Sequence, residues 1–482
     1  MSDRSRALLV PTLVAAQLVV MLDSSILNVA LPSITSEYGL DATGTAWVLN
    51  AYFLAFGGLL LISGRAADIF GRRRMFMVGA ATLTAGSLLG AVAPSESVLI
   101  AARVLQGVGS AMLSPAAMSV ILASFTGATR ARAMSWWGAA STAGGALGVS
   151  VGGLMTGNLG WRSAMAMTAI VAVAILLTGR SLLPADEKHE RRPFDGLGAG
   201  LLTAAVVAAA SAVLSAPTSG IASPRVLVAA VIAVLALAGF VAVERRTADP
   251  VLSLSVLGEG RVAGGIVANM LGGAARIACF AVVALLLQQV VQLSPSTAGL
   301  AMLPTSLAGF VVSTLLLPRA LTRFGPERTA VMGLAALVAA HLLLAQVDSQ
   351  SAYVWQVLPA LMLAALGVAY SFTPTTLVIA DGMRARDAGV SSGLASATTQ
   401  LGGAIGIAVF GAVDAMARGR IADAGGTQVA AAEVGLHAAH FAAAASAAVA
   451  IAVALIAFPT LRLRAPHGAH TDPDRKGKND LA

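Results

Sequence analysis

The sequence predicts an all-α membrane protein of fourteen transmembrane helices, and three observations predict it. First, 57% of the 482 residues are hydrophobic and 11% charged, with a mean hydropathy of +0.82; a water-soluble domain has no interior large enough for that much apolar surface. Second, apolar runs of about 20 residues, the length a helix needs to cross a bilayer, recur along the whole chain, and the two-residue alternation of a barrel strand is absent. Third, the charges gather in short segments between these runs, the basic ones mostly at every second loop.

In order, spans are predicted at 8–29, 46–63, 75–92, 98–125, 133–155 and 163–179, a six-helix half covering residues 1–180. Two further spans, 197–214 and 226–243, lie within a linker of residues 181–261. Six more, at 262–291, 298–317, 329–347, 354–380, 389–413 and 436–458, make a second half of residues 262–461. Residues 462–482, with Arg475, Lys476 and Lys478, read as a disordered cytosolic tail able to touch anionic lipid. Most of the 31 Lys and Arg residues fall on the side of the N-terminus, so both termini are expected in the cytosol and the span count is even. An odd count would put Arg72, Arg73 and Arg74, or Arg319, Arg323 and Arg328, on the wrong face. Trp47, Trp161 and Trp355 fall near outer ends, and Trp136 and Trp137 near an inner one, as an aromatic belt would.

Several function classes are excluded. The first span follows a basic start (Arg4, Arg6) but precedes no clear cleavage site, so it reads as a membrane helix rather than a signal peptide. Cys279 is the single cysteine, which rules out an intrachain disulfide. The formal charge of +8 is loop arginine obeying topology, not a nucleic-acid patch. The lysines, Lys188, Lys476 and Lys478, follow no glycine-rich phosphate loop, and no His-Glu-x-x-His is present, so no cofactor, metal or built-in nucleotide motor is expected. Gly148-Val149-Ser150-Val151-Gly152 fits a nucleophile-elbow pattern, but inside a membrane span it lacks the strand–turn–helix setting that chemistry requires.

Between the second and third spans, Gly64 to Arg74 reads as a charged cytosolic hairpin. Gly64 and Gly71 permit the reversal, Asp68 caps the incoming helix or pairs with Arg72, and Arg65, Arg72 and Arg73 resist transfer across the membrane. The hairpin echoes in Pro318 to Gly325, Arg130-Ala131-Arg132 in Arg384-Ala385-Arg386, and the glycine run Gly144 to Gly153 in Gly402 to Gly411. Such an internal repeat implies two parallel halves. In the fifth span Gly144, Gly148 and Gly152 recur every fourth residue, with Gly153 beside them, leaving a smooth face on which a neighbouring helix can approach and slide.

These residues resemble a known family. Gly64 to Arg74 is similar to motif A of the major facilitator superfamily, Arg103 to Gly109 to its fourth-helix motif B, and Gly144 to Gly153 sits where its antiporter motif C belongs. Leu22 to Pro32, Asp195 to Gly198, Ser296 to Leu300 and the count of fourteen look like its drug:proton antiporter branch. The chain departs from that pattern at Val149, where a proline is usual, at Ala66, Ile69 and Ser163, and at Arg276. The resemblance implies two six-helix halves plus two inserted helices, no enzymatic activity, and proton-coupled export of amphipathic small molecules (antibiotics, drugs or toxic metabolites) by alternating access, conferring resistance. The alternatives are a dedicated single-substrate metabolite transporter of this fold or, further off, a membrane-embedded enzyme. Its partners would be substrate, protons and lipid, with no nucleic acid, and it would work as a monomer. Arginine-over-lysine usage and abundant alanine point to a GC-rich bacterium and its cytoplasmic membrane.

Asp23 is the acid placed deepest within a predicted span, and intramembrane acids are functional candidates by default. At about 1.5 Å per residue it lies roughly 23 Å from the cytosolic start of its span, while Arg103, on a span running the other way, lies roughly 8 Å from the outer edge. The two depths match, so Asp23 and Arg103 form a candidate proton-coupling pair. Asn28, Asn50, Gln106, Arg276, Gln288 and Gln400 are candidate cavity or substrate contacts; the repeat maps Arg276 beside Asp23 in the other half. His341 reads as a core histidine.

Overall fold

Helix continues well past the ends of most of these apolar runs. The computed structural model describes residues 3–40, 42–186, 195–220, 223–247, 258–293, 295–383 and 388–458, and every regular element among them is helical. In chain order these are α1 (Asp3–Tyr38), α2 (Ala42–Phe70), α3 (Arg72–Ala91), α4 (Glu96–Ser124), α5 (Gly127–Leu159), α6 (Trp161–Leu182), α7 (Gly196–Ser219), α8 (Pro224–Glu244) and α9 (Gly260–Gln289). Next comes α10 (Pro295–Val311), which passes through a π turn (Val312–Leu316) into α11 (Leu317–Leu344). A second π turn (Tyr353–Val357) opens α12 (Leu358–Asp381), and α13 (Ala388–Asp423) and α14 (Gln428–Ala457) complete the chain. Among the described residues, ten helical stretches are long and apolar enough to cross a membrane; one of them, Thr297–Leu344, runs 48 residues and is broken at Gly325. The tail from residue 462, the loop at 187–194 and the side chain of Asn28 lie outside the described residues.

The helices gather into two groups. α1 packs on α5 and α6, α3 on α4 and α6, and α2 on α4; likewise α9 packs on α13 and α14, α11 on α12 and α14, and α13 on α14. α7 and α8 pair with each other, and α7 rests against both α2 and α13. The groups meet where α2 and α4 touch α13 and where α5 touches α10.

The hairpin differs from its expected form. α2 continues through Phe70, so Gly64 lies inside a helix and Gly71 alone makes the turn, at φ 104°. Only a residue without Cβ takes that conformation at little cost. Gly325, its repeat counterpart, has φ 76° and breaks α11 in the same way. Gly64 instead serves a close crossing, facing the carbonyl of Gly389 on α13. α5 is helical without a break from Gly127 to Leu159, across Val149 where proline is usual.

The glycine stripe of α5 seats α1. A Cβ on Gly144, Gly148 or Gly152 would lie 2.8, 2.7 or 3.0 Å from the carbonyl oxygens of Leu18, Leu22 and Ile26. The echo does the same in the other group, where a Cβ on Gly406 would lie 2.8 Å from the Cα of Ala274 on α9. Gly148→Leu is therefore expected to cost about 1–3 kcal/mol or more through overpacking, lowering the melting midpoint in detergent. Gly145→Leu, at a position with nothing within 4 Å, is the control, and equal melting of the two variants would contradict this packing.

Two tryptophans depart from the aromatic belt. Trp47 and Trp355 are exposed, but Trp137 and Trp161 are buried. Trp137 stacks on Phe372 of α12 at 5.7 Å between ring centroids. Trp161 donates its indole N–H to Glu37 at 2.7 Å, and Glu37 also pairs with Arg162 at 2.7 Å, joining the ends of α1 and α6. These bonds, the indole's first and Arg162's second, hold the Glu37 carboxyl below its ordinary value of 4.5. A carboxylate depressed by folding stabilises above its unfolded pKa and loses that contribution as pH falls through the folded value. Glu37→Gln is expected to lower the melting midpoint slightly at pH 7, by about 1 kcal/mol or less for so exposed a pair, and the deficit should close in acid below about pH 4.

Candidate functional site

Asp23 sits on α1 with no exposed surface, and α4 brings Arg103 and Gln106 to it from one helix face, three residues apart. Arg103 Nη1 donates to Asp23 Oδ2 at 3.2 Å, and Gln106 Nε2 donates to Asp23 Oδ1 at 2.8 Å. Arg103 Nη1 also reaches Gln106 Oε1 at 2.9 Å, and Gln106 Nε2 reaches Ser87 Oγ of α3 at the same distance. The guanidinium lies 4.3 Å above the ring of Tyr52 on α2, whose hydroxyl donates to the Val20 carbonyl. Three side chains, Gln106, Ser87 and Tyr52, thus surround one ion pair in the buried interior, the five groups coming from four helices. Such a pair persists only where its desolvation is offset by geometry and added hydrogen bonds. The offset is incomplete on one side: Arg103 Nε and Nη2 are buried without an acceptor among the described residues. Both carboxylate oxygens accept, as an ionised Asp23 requires; a proton on either displaces a donor.

A second constellation fastens the two helix groups together. Asp68 Oδ1 and Oδ2 accept the backbone N–H groups of Gly389 and Val390 at 2.8 and 2.9 Å, and Arg72 lies 3.5 Å from Oδ1. Gly389 and Val390 are in the first turn of α13, where unpaired amides and the helix dipole attract a carboxylate. Asp68 therefore caps α13 across the molecule rather than the incoming α3, while the other expected contact, its pairing with Arg72, is present. α3 is served by Asp186, which follows α6 and accepts the N–H groups of Arg73 and Arg74 at 2.9 and 3.0 Å. Further ties between the groups are Arg130–Asp381 at 2.8 Å, Ser392 Oγ donating to the Pro115 carbonyl at 3.0 Å, and the Trp137–Phe372 stack. Arg65 is buried within the same end of α2.

Arg276, 5% exposed on α9, is held by neutral acceptors: Ser371 Oγ at 3.2 Å and the Asn269 backbone and side-chain oxygens at 3.0 Å each. Among the described residues it has no carboxylate partner. Asn269 is itself tied to Ala395, Thr398 and Thr399 of α13 and to Thr375 of α12. Gln17 makes the matching clamp in the first group, between Ser114 and Ser141. Of the other cavity candidates, Gln106 joins the Asp23 cluster, whereas Gln288 donates back to the Ala284 carbonyl on its own helix and is not brought to it. Asn50 and Gln400 are half-buried.

Sequence reasoning missed Tyr52, Ser87 and Asp186. The first two are ordinary-looking span residues, and Asp186 lies more than a hundred residues from the amides it caps. Acids besides Asp23 are also buried at helix ends: Glu244, and Glu327, which pairs with Arg261 at 2.6 Å.

Comparison with known proteins agrees with this architecture. Residues 13–407 match the Major Facilitator Superfamily. The chain is 39% identical over 412 residues to the puromycin resistance protein pur8 of Streptomyces alboniger, covering 83% of this chain and 80% of that one. It is 34% identical over 399 residues to the cephamycin export protein CmcT of Amycolatopsis lactamdurans, covering 82% of each. In structure it is similar to the human organic anion transporter MFSD10, with a TM-score of 0.67 over 94% of this chain and 100% of that one; at 16% identity the likeness is one of fold alone. A multi-pass helical chain with these repeats, this coverage and these relatives belongs to the Major Facilitator Superfamily of transporters.

Proposed function

We propose that this protein is a proton-coupled exporter of amphipathic small molecules that confers resistance on the bacterium that makes it. The observation that carries this reading is the fully buried Asp23–Arg103–Gln106 cluster, an ionisable group deep among apolar helices beside a charged partner. Relatives named for puromycin resistance and cephamycin export support the direction and the substrate class.

In this mechanism, protonation of Asp23 removes the charge that holds Arg103, and the freed guanidinium turns to other acceptors as α1 and α4 shift. Deprotonation restores the pair. The helix groups rock about their interface while α1 slides on the glycines of α5, and Asp68 makes and breaks its cap on α13 as the cytosolic gate, carried by the end of α2 with Gly64 and Arg65 and by the turn of Gly71, Arg72 and Arg73. Arg276, Gln288 and Gln400 contact substrate from the second half, and Asn50 from the first. One proton suffices energetically: about 2.3 kcal/mol per 100 mV against about 1.4 kcal/mol for each tenfold gradient sustains a ratio on the order of 10- to 100-fold.

The topology that goes with this reading has fourteen crossings, with both termini in the cytosol and the chain in the cytoplasmic membrane as a monomer. The 48-residue stretch supplies two crossings because Gly325 breaks it. α3, α5 and α7, which fall outside the ten apolar stretches, supply the rest. The halves are residues 1–180 and 262–461, with the inserted pair in 181–261 and a cytosolic tail beyond.

The reading is tested by efflux of puromycin, a cephamycin and a panel of amphipathic dyes from cells producing the protein, with and without a protonophore. Protonophore-sensitive efflux of at least one compound is expected. Efflux that survives collapse of the proton gradient would contradict proton coupling.

A further inference from the structure

The second helix group encloses a titratable cluster that the mechanism above leaves unused. Cys279 of α9, His341 of α11 and His440 of α14 are 1%, 0% and 0% exposed. His341 Nε2 lies 3.0 Å from the Ala275 carbonyl, and His341 Nδ1 lies 3.1 Å from His440 Nδ1. The hydrogen positions follow from these contacts. A carbonyl only accepts, so His341 carries its hydrogen on Nε2; its Nδ1 then accepts, and His440 Nδ1 donates. That leaves His440 Nε2 as a bare lone pair, buried and without a partner among the described residues. Cys279 Sγ stands 3.5 Å from His341 Nε2 on the opposite side of the pair.

The position of this pair in the repeat sets it apart from ordinary core histidines. The displacement in sequence that carries Gly71 onto Gly325, two glycines with the same left-handed turn, carries Ser87 onto His341. Ser87 is the α3 residue that accepts from Gln106, a direct partner of Asp23. α14 stands to α9 and α11 as α6 stands to α1 and α3, and α6 lends Met165 to the same Gln106. The histidines thus occupy, in the second group, the place of the shell around Asp23 in the first.

We propose that His341 and His440 form a second proton-binding site, which takes up one proton per transport cycle at His440 Nε2. A proton from water forms the Nε2–H bond, the resulting imidazolium keeps its Nδ1–H toward His341, and the same bond breaks when the site is next hydrated from the other side of the membrane. The charged and titratable groups around it are Cys279 and Arg276 from α9, His437 one turn earlier on α14, whose Nε2 faces the Val347 carbonyl at 2.7 Å, and Tyr370 of α12, which packs against Gly333 two turns down α11. Arg276 is the one that couples. It follows Ala275, whose carbonyl holds His341, so an imidazolium repels the guanidinium from its neutral cradle of Asn269 and Ser371 toward Phe372 and the interface between the groups. The inference rests on the proton-coupled reading above and adds a second coupling group to it.

The test is the proton-to-substrate ratio, measured from reversal potentials in proteoliposomes of wild type, His440→Gln and His341→Asn, together with the pH profile of driven transport. Substrate exchange, which needs no net proton movement, controls for folding. In both variants the ratio is expected to fall by one proton, and the pH dependence of wild-type driven transport is expected to flatten. A coupled wild type with an unchanged ratio and profile in His440→Gln overturns the histidine site alone. A wild type that exchanges substrate but moves no protons overturns the proton-coupled reading, and this site with it. Should either variant lose exchange, 15N-histidine NMR of the wild type decides: a buried N–H···N pair whose free nitrogen titrates between pH 5 and 8 supports the site, and one that stays neutral throughout overturns it.

Discussion

Asp23→Asn is expected to abolish proton-driven accumulation, by at least 100-fold in initial rate, and to destabilise the protein. The substitution removes the charge bonded to Arg103, the only one among the described residues, while leaving the guanidinium fully buried. Removing one member of a buried pair costs about 3–5 kcal/mol, much of it the penalty of the charge left behind. The amide also presents two hydrogens in a shell where Arg103 and Gln106 already donate, so at least one donor loses its acceptor. These two effects separate in a double variant. Asp23→Asn with Arg103→Gln removes both charges and is expected to recover much of the lost melting temperature, yet it carries no titratable group at this site and stays inactive in driven transport. If Asp23→Asn alone kept full proton-driven transport, the cluster would be structural only.

The second large effect is expected at the junction between the helix groups. Asp68→Asn replaces a carboxylate that accepts two α13 amides with a neutral side chain that has one acceptor oxygen. Caps of this kind contribute about 0.5–2 kcal/mol, and the helix dipole adds a few tenths more. Where both arrangements of a transporter lie within a few kcal/mol of each other, that loss shifts the population by roughly 4- to 50-fold. A cysteine placed at Ser392, buried where α13 meets the Pro115 carbonyl, reports the shift through labelling by a water-soluble maleimide, and the native Cys279 is buried and adds little background. Labelling should be slow with Asp68 intact and several-fold faster in Asp68→Asn. Gly64→Val should accelerate it further, because its Cβ collides with the Gly389 carbonyl. Equal labelling rates in all three would show that this contact does not hold the groups together.

Legibility in the sequence followed the range of the interactions. The Asp23–Arg103 pairing was readable because helix rise is fixed: two positions on antiparallel spans at equal depth can meet, and they do at 3.2 Å. The glycine stripe was readable because its period is that of a helix face. Asp68 was readable only as an acid near a helix end. Its partners are backbone amides more than three hundred residues away, and amides at a helix start carry no residue signature. The same reason hid Asp186. Gly64 was misplaced because glycine marks both turns and close helix crossings, and only the neighbour, another glycine on α13, distinguishes them. His341 looked like an isolated core histidine because His440 reaches it from a different helix, at a register that helix-end uncertainty blurred.

The central claim, that substrate movement is exchanged for protons through Asp23, is tested most directly by loading proteoliposomes with a pH indicator and adding a transported substrate outside in the absence of any imposed proton gradient. The account predicts that substrate entering down its gradient drives protons out, so the lumen turns alkaline, and that Asp23→Asn abolishes the signal while substrate still exchanges. Substrate entry with no pH change in the wild type, or an undiminished change in Asp23→Asn, would contradict it.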